Sequence, residues 1–382
     1  MEFDLGPERL KLQKRIRDFC EGEIIPRAQE NDLKEVFPWE LAKKLAREGL
    51  FGIVLPRDYG GMGLDALSLC LVLEELGRAD ASLALTVESH NGLFANHLFL
   101  HGNEDQKRRY LPRLASGAVL GAWALTEPGA GSDAASIKTQ AASNGSGWIL
   151  NGSKTFTTQG SVAGIYVIFA RTDMNGKPQL TAFVAEKGVS GLGIGKIEKK
   201  MGIRASDTAQ LHLHQLRLPA ENVVGKVGGA FKDAMRVLDA GRVAIAAVSV
   251  GIARAALEEG IRRVKARPAD YGLDIPSPGL TYAQKTLAQI AAEIDAARLL
   301  THRAAWLLDS GKPFAREASM AKLISGDLAM RAATEIVDLI GPEGGSLDSP
   351  VQRYFRDAKL YQIGEGSSQI QQLVISRQLL NG

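Results

Sequence analysis

The sequence predicts an α+β protein in three parts: an amino-terminal helical domain over 1–120, an antiparallel β barrel or sandwich over 121–227, and a helical bundle over 228–382. Three observations carry this division. Apolar residues recur at helical spacing in the first third, short apolar runs lie between Gly, Asn and Asp clusters in the second, and helical spacing returns after Gly228-Gly229. A chain of 382 residues exceeds what one hydrophobic core usually serves, and 45% hydrophobic with 23% charged residues marks a globular protein rather than a disordered one.

In the first third, Leu12, Ile16 and Phe19 set one helical stripe, Leu41 and Leu45 a second, and Leu64, Leu67 and Leu71 a third. Pro26 is expected to end the first helix, Pro38 to open the next and Gly49 to stop it, while Tyr59-Gly60-Gly61-Met62-Gly63 reads as a turn. In the middle third, Ile165 to Ala170 and Leu180 to Val184 read as strands joined by the turn cluster Asp173-Met174-Asn175-Gly176. No helices intervene, which argues against a βαβ array and a parallel sheet. In the last third, Leu287, Ile290, Ile294 and Ala297 mark one stripe, and Met320, Leu323, Ile324, Leu328 and Ile336 another. The segment Arg267 to Gly279, with Pro268, Pro276 and Pro278, is a loop, as is Gly341-Pro342-Glu343-Gly344-Gly345.

Charge and targeting signals exclude several classes. Lys and Arg exceed Asp and Glu by 46 − 43 = +3 and form no block, so nucleic-acid binding has no support. Cys20 and Cys70 make no disulfide framework and read as buried helical residues of a reducing compartment. The start, MEFDLGPERLKLQ, has no signal-peptide core, which points to the cytoplasm, and the apolar stretch Val243 to Ala253 is shorter than the ~18 residues of a membrane span.

Few local motifs carry chemistry. Gly129-Ala130-Gly131-Ser132-Asp133-Ala134 satisfies G-x-G-x-x-G/A, but a polar run stands where a dinucleotide fold needs its helix. His97 and His101 have the i, i+4 spacing of zinc ligands without a third ligand, and His212 and His214 alternate with leucines like the polar face of a strand; no metal is expected. There is no G-x-S-x-G elbow or Walker A loop. One carboxylate stands out: Glu365 lies between Gly364 and Gly366, where backbone can approach a ligand and leave the side chain clear. Alone, it reads first as a solvated turn glutamate. Gly364 serves either the turn or the width of a pocket.

Four stretches in order, WALTEPGAGSD (Trp123 to Asp133), LNGSKTFTTQG (Leu150 to Gly160), LDAGRVAIAAVSVGIARAAL (Leu238 to Leu257) and RDAKLYQIGEGSSQIQ (Arg356 to Gln371), resemble the acyl-CoA dehydrogenase family. The resemblance implies FAD held between the β domain and a carboxy-terminal four-helix bundle, a homotetramer, an acyl-CoA substrate and electron-transfer flavoprotein as acceptor. It makes Glu365 the catalytic base that takes the α proton while hydride leaves the β carbon, yielding a trans-2-enoyl-CoA. The thioester oxygen would be held by the Glu365 backbone N–H and a flavin hydroxyl. Water expelled on binding would strengthen the base by desolvating its charge.

By position, Trp123, Leu125, Thr126, Ser132, Phe156, Thr157 and Thr158 match flavin contacts, Phe156 standing where tryptophan is commoner. Ser132, Asp239, Arg242 and Gly366 match the substrate side, and Ser367, Ser368 and Gln369 continue the loop across the cofactor. Arg267 matches a pyrophosphate ligand given across a subunit interface, and Asp338 stands where glutamine is common near the phosphates. Members that place the base just before the Arg242 position differ from this chain, which has Gly241 there. The Arg-x-x-Phe-Gly segment and its glutamine are replaced, with Tyr271-Gly272 one place late and Thr281 near the glutamine position. Alternatives are an oxygen-using oxidase, although such oxidases tend to be longer, and a flavin-binding relative without dehydrogenation.

Overall fold

The computed structural model describes residues 4–174, 176–274 and 279–380. Asn175, Pro276 and Pro278, assigned above to a turn and a loop, lie outside the described residues. The amino-terminal third is helical: α1 (Gly6–Phe19), α2 (Ile25–Lys34), α3 (Trp39–Arg47), α4 (Ala66–Ala79), α5 (Ala81–Glu88), α6 (Asn96–His101) and α7 (Glu104–Ala115). Pro26 does not end the first helix. A π-helical turn, Cys20–Ile24, joins α1 directly to α2, and Pro26 sits in the first turn of α2, where its missing N–H costs little. Pro38 and Gly49 bracket α3 as expected, Gly49 with a φ of 77°. Leu64 precedes α4, whose start is fixed by Asp65 accepting from Ser68 N at 2.8 Å. Both cysteines are buried and free.

The middle third is one eight-stranded sheet: β1 (Gly121–Ala124), β2 (Gln140–Ser143), β3 (Gly147–Thr158), β4 (Ile165–Met174), β5 (Lys177–Glu186), β6 (Leu192–Ile197), β7 (Thr208–Pro219) and β8 (Val223–Val224). The order is β6-β7-β3-β2-β4-β5-β8, with β1 beside β4. It curls until Ala122, Leu150, Tyr166, Phe183, Leu211 and Leu216 share one core, while the other face packs Val167, Phe169 and Val184 on helices. Pairing is antiparallel except that β1 and β2 run parallel to β4. The β2–β3 excursion supplies the long crossover that a parallel pair needs, so no helix is required between β1 and β4. His212 and His214 are exposed on β7 between buried leucines.

The last third contains α8 (Ala230–Ala266), α9 (Tyr282–Asp309), α10 (Ala315–Ile340), α11 (Pro350–Tyr361) and α12 (Ser368–Leu380). Three long helices, α8, α9 and α10, pack on one another and α4 lies against α8, so the amino- and carboxy-terminal thirds share a single apolar core. The helix containing Val243 to Ala253 is 37 residues long and apolar enough to span a membrane, but 83% of its most apolar window is buried inside the protein. The expected α10 stripe holds at Leu328 and Ile336, which are buried, and fails at Ile324, which is exposed, while Lys322 is buried unexpectedly along with Ala318, Ala321, Ala329 and Ala333.

Candidate active site

Glu365 lies in the turn between α11 and α12. The Gly364 N–H donates to Leu360 O at 2.9 Å and Ser368 N to Gln362 O at 3.1 Å, closing a tight turn that aims the glutamate inward. Both carboxylate oxygens are sealed from solvent, and among the described residues no donor other than the Glu88 carboxyl meets them. Among the described residues, the Glu365 N–H has no hydrogen-bond partner either. Gly366 follows with a φ of 96°, a left-handed conformation that favours glycine, and a side chain there would strike Gln371. Its carbonyl is clamped by Lys322 Nζ at 2.7 Å and Gln371 Nε2 at 3.0 Å.

The floor beneath Glu365 is α8. A Cβ built on Gly241 would lie 2.2 Å from Glu365 Oε2, so the glycine makes the space that the carboxylate occupies. One residue on, Arg242 is buried and donates to Asp239 Oδ1 at 2.6 Å and Ser319 Oγ at 3.4 Å. Desolvation raises Asp239 above the usual carboxylate range, opposed by Arg242. Desolvation also pushes Glu365 up to about 7, against the pull of Glu88, Arg242 and Lys322. Lys322 is lowered to about 8 by burial, against Glu365.

A second constellation gathers at the end of β3. The ladder slips between Lys154/Leu211 and Thr157/Ala209, a bulge that throws Phe156 outward. Phe156 is 62% exposed with a φ of 50°, and Gln159 has a φ of 63°. Such backbone costs of order 1–3 kcal/mol per residue and persists where the surroundings enforce it. Thr158 is half-buried, whereas Thr157 turns inward with its hydroxyl sealed and unpartnered. Thr155 N donates to Thr126 O at 2.9 Å, fastening the bulge to the segment after β1, where Thr126 is half-buried and Ser132 exposed. Leu125 is buried beneath them, and Trp123 spends its indole N–H on His97 at 3.4 Å. No helix follows Gly129-Ala130-Gly131, only a short 3₁₀ turn at Ala134–Ser136.

Lys154, fully buried, donates to Leu125 O at 3.1 Å and Glu127 Oε1 at 2.7 Å, and Glu127 also accepts from Thr139 N at 3.0 Å. This pair fixes the strand-to-turn path from Trp123 to Ser132, and nothing in the sequence singled it out. The two constellations are bridged by α5: Gln159 Nε2 donates to Thr86 O at 2.6 Å, and two residues later Glu88 reaches Glu365. Glu88, Lys322 and Gln371 are site residues that sequence reading missed. For Glu88 and Lys322 the one available signal was a charged group among apolar and small helical residues; Gln371, among other glutamines and serines, carried none.

The remaining expected contacts lie elsewhere. Ser367 is half-buried, Gln369 exposed, and Ser368 Oγ donates to Asp327 Oδ1 at 3.1 Å. Arg267, 63% exposed in its side chain, pairs with Glu343 at 3.2 Å at the far end of α8, about 37 Å of helix from Arg242. Asp338 is exposed near the end of α10, about 24 Å along it from Lys322. Thr281 caps α9 by accepting from Gln284 N at 3.2 Å. Gly364 is exposed, without a left-handed φ.

Comparison with known proteins agrees with this arrangement along the whole chain. Residues 6–118 match the model for the acyl-CoA dehydrogenase N-terminal domain, 122–216 that for the middle domain and 228–380 that for the C-terminal domain. A short-chain specific acyl-CoA dehydrogenase of Clostridium acetobutylicum is 41% identical over 378 residues, 98% of this chain and 99% of that protein. The solved butyryl-CoA dehydrogenase of Megasphaera elsdenii superposes with a TM-score of 0.92 at 39% identity, covering 100% of both chains. A chain from a structure described as the electron transferring flavoprotein of Acidaminococcus fermentans superposes at 0.93, again at 39% identity and with 100% of both chains covered.

Proposed function

The chain belongs to the acyl-CoA dehydrogenase family, and from that premise we propose that Glu365 is the base that takes the α proton of a short-chain acyl-CoA thioester lying along α8. The protein is an FAD-dependent oxidoreductase acting on acyl-CoA. Its residues fit the cofactor: a bare aromatic, Phe156, stands on a strained bulge beside the polar rim of Thr126, Ser132 and Thr158, a platform for a flat ring with polar edges. Bound there, FAD supplies the acceptor for the hydride from the β carbon, and the product is a trans-2-enoyl-CoA.

The observation that carries the proposal is a carboxylate sealed from water, met among the described residues by no donor but the Glu88 carboxyl, beside a backbone N–H without a partner there. A desolvated carboxylate is a stronger base than a solvated one, and Lys322 and Arg242 keep enough of it ionised near neutrality to act. The Glu365 N–H is positioned to hold the thioester oxygen, where negative charge grows as the α proton leaves. Lys322 and Gln371 fix the loop that presents both groups. Arg242, tied to Asp239, faces the thioester side of α8.

We further propose that electrons pass to electron-transfer flavoprotein and that the enzyme is a cytoplasmic homotetramer. Arg267 lies about 37 Å along α8 from Arg242 and Asp338 about 24 Å along α10 from Lys322, and this separation from the Glu365 end of the helices supports their serving a neighbouring copy. The test is anaerobic mixing of the FAD-loaded enzyme with acyl-CoAs of graded length. Butyryl-CoA should bleach the flavin fastest, and no bleaching by any member would reject the reading. Turnover with electron-transfer flavoprotein against oxygen then separates dehydrogenase from oxidase.

A further inference from the structure

We propose that Glu88 is a positioning residue for the reaction: its carboxyl shares one proton with that of Glu365 and donates it to the base, holding the anion in place before substrate arrives. This rests on the reading of Glu365 as the base. Glu88 ends α5 and is fully buried. Among the described residues, neither of its oxygens nor either oxygen of Glu365 has a donor elsewhere, and the two carboxyls lie within hydrogen-bonding reach of each other. Immediately after Glu88 the chain takes a π-helical turn, Ser89–Ala95, within which a Cβ on Gly92 would fall 2.7 Å from Glu88 Oε1. As at Gly241, a glycine clears the room for a carboxyl. Two acids in contact, dry and without other donors, cannot both be ionised, so a proton lies between them.

The surroundings decide which acid keeps it. Glu365 faces Arg242, itself paired with Asp239, on α8 and Lys322, near Asp327, on α10. Beyond burial, Glu88 feels chiefly Glu365, which raises it well above the ordinary range. Tyr361 of α11, neutral through burial, stands by both, with Asp357 and Asp80 behind it. Glu88 therefore holds the proton and Glu365 is the anion that accepts it. When Glu365 takes the α proton the pair holds two, and one is released to solvent as the site reopens.

The test uses the FAD-loaded enzyme with Glu88→Leu, which fills the space without a donor, and Glu88→Gln, which keeps a donor but has no acidic proton. In E88L the acidic limb of flavin reduction against pH should move up by about one unit, a tenfold slower reduction at pH values below the limb. E88Q should keep the limb near that of the unmodified enzyme. Infrared difference spectra above the limb, unmodified enzyme minus E88Q, should show a protonated carboxyl band. An unmoved limb in E88L, or no such band, overturns the proposal. If no acyl-CoA reduces the unmodified enzyme, the base assignment fails while the infrared band still reports on the shared proton.

Discussion

The space beneath the Glu365 carboxylate, the proposed base, is set by one hydrogen atom on Gly241. In Gly241→Ala the new methyl would stand 2.2 Å from Glu365 Oε2, where ordinary contact begins near 3.4 Å, so one of them must retreat by about 3.4 − 2.2 = 1.2 Å. The methyl is fixed to α8, whose other faces are packed against α4, α9 and α10, so the carboxylate is the group that moves. A displacement of about 1 Å at a reacting atom costs about 10²-fold in rate. Overpacking also destabilises the fold by about 1–3 kcal/mol. G241A should thus retain its flavin spectrum and reduce about a hundredfold more slowly in anaerobic stopped-flow mixing with saturating butyryl-CoA, the drop appearing in the limiting rate. A limiting rate within a few-fold of the unmodified enzyme would refute the placement of Glu365 over Gly241.

Two further substitutions test the supports of the site. Lys322→Met removes the clamp on the Gly366 carbonyl and a cation that favours ionised Glu365, so the acidic limb should move up and the limiting rate fall by about tenfold, with partial recovery in Lys322→Arg. A purely structural lysine would lower the melting temperature and leave the pH profile where it was. Lys154→Met strands the buried Glu127 and should destabilise by about 3–5 kcal/mol in thermal or urea melts, while the double variant with Glu127→Gln recovers much of that; equal losses would remove the pair from the account.

Much of the fold was legible because period and punctuation are local properties. Leu41 and Leu45 with Pro38 and Gly49 define α3 without reference to anything distant, and the leucines flanking His212 and His214 define a face of β7. What escaped depended on partners far along the chain. Pro26 continues a helix because a π-helical turn absorbs it, and β1 pairs parallel with β4 because a hairpin-like excursion separates them. The buried stripe of α10 was misread at Ile324, which is exposed, although Leu328 and Ile336 of that stripe are buried and Ile336 packs against Gly260 of α8.

The site divides in the same way. Glu365 is visible in sequence because two glycines flank it and a four-part resemblance places it, and Phe156 and Gly241 are legible as departures from a pattern. Glu88, Lys322 and the Lys154–Glu127 pair are charged residues in helix or strand, which composition assigns to solvent until a partner shows why they are buried. Glu88 and Glu365 stand 277 positions apart and meet only when α5 and the α11–α12 turn close on α8.

The most direct measurement of the central claim is single-turnover anaerobic reduction of FAD-loaded Glu365→Gln by butyryl-CoA, set beside the unmodified enzyme across pH. The carboxylate is the active form, so the unmodified rate should rise with pH through about 7 and flatten above it. The amide variant should bind flavin and ligand yet leave the flavin oxidised at every pH. Bleaching of E365Q at the rate of the unmodified enzyme would contradict the account.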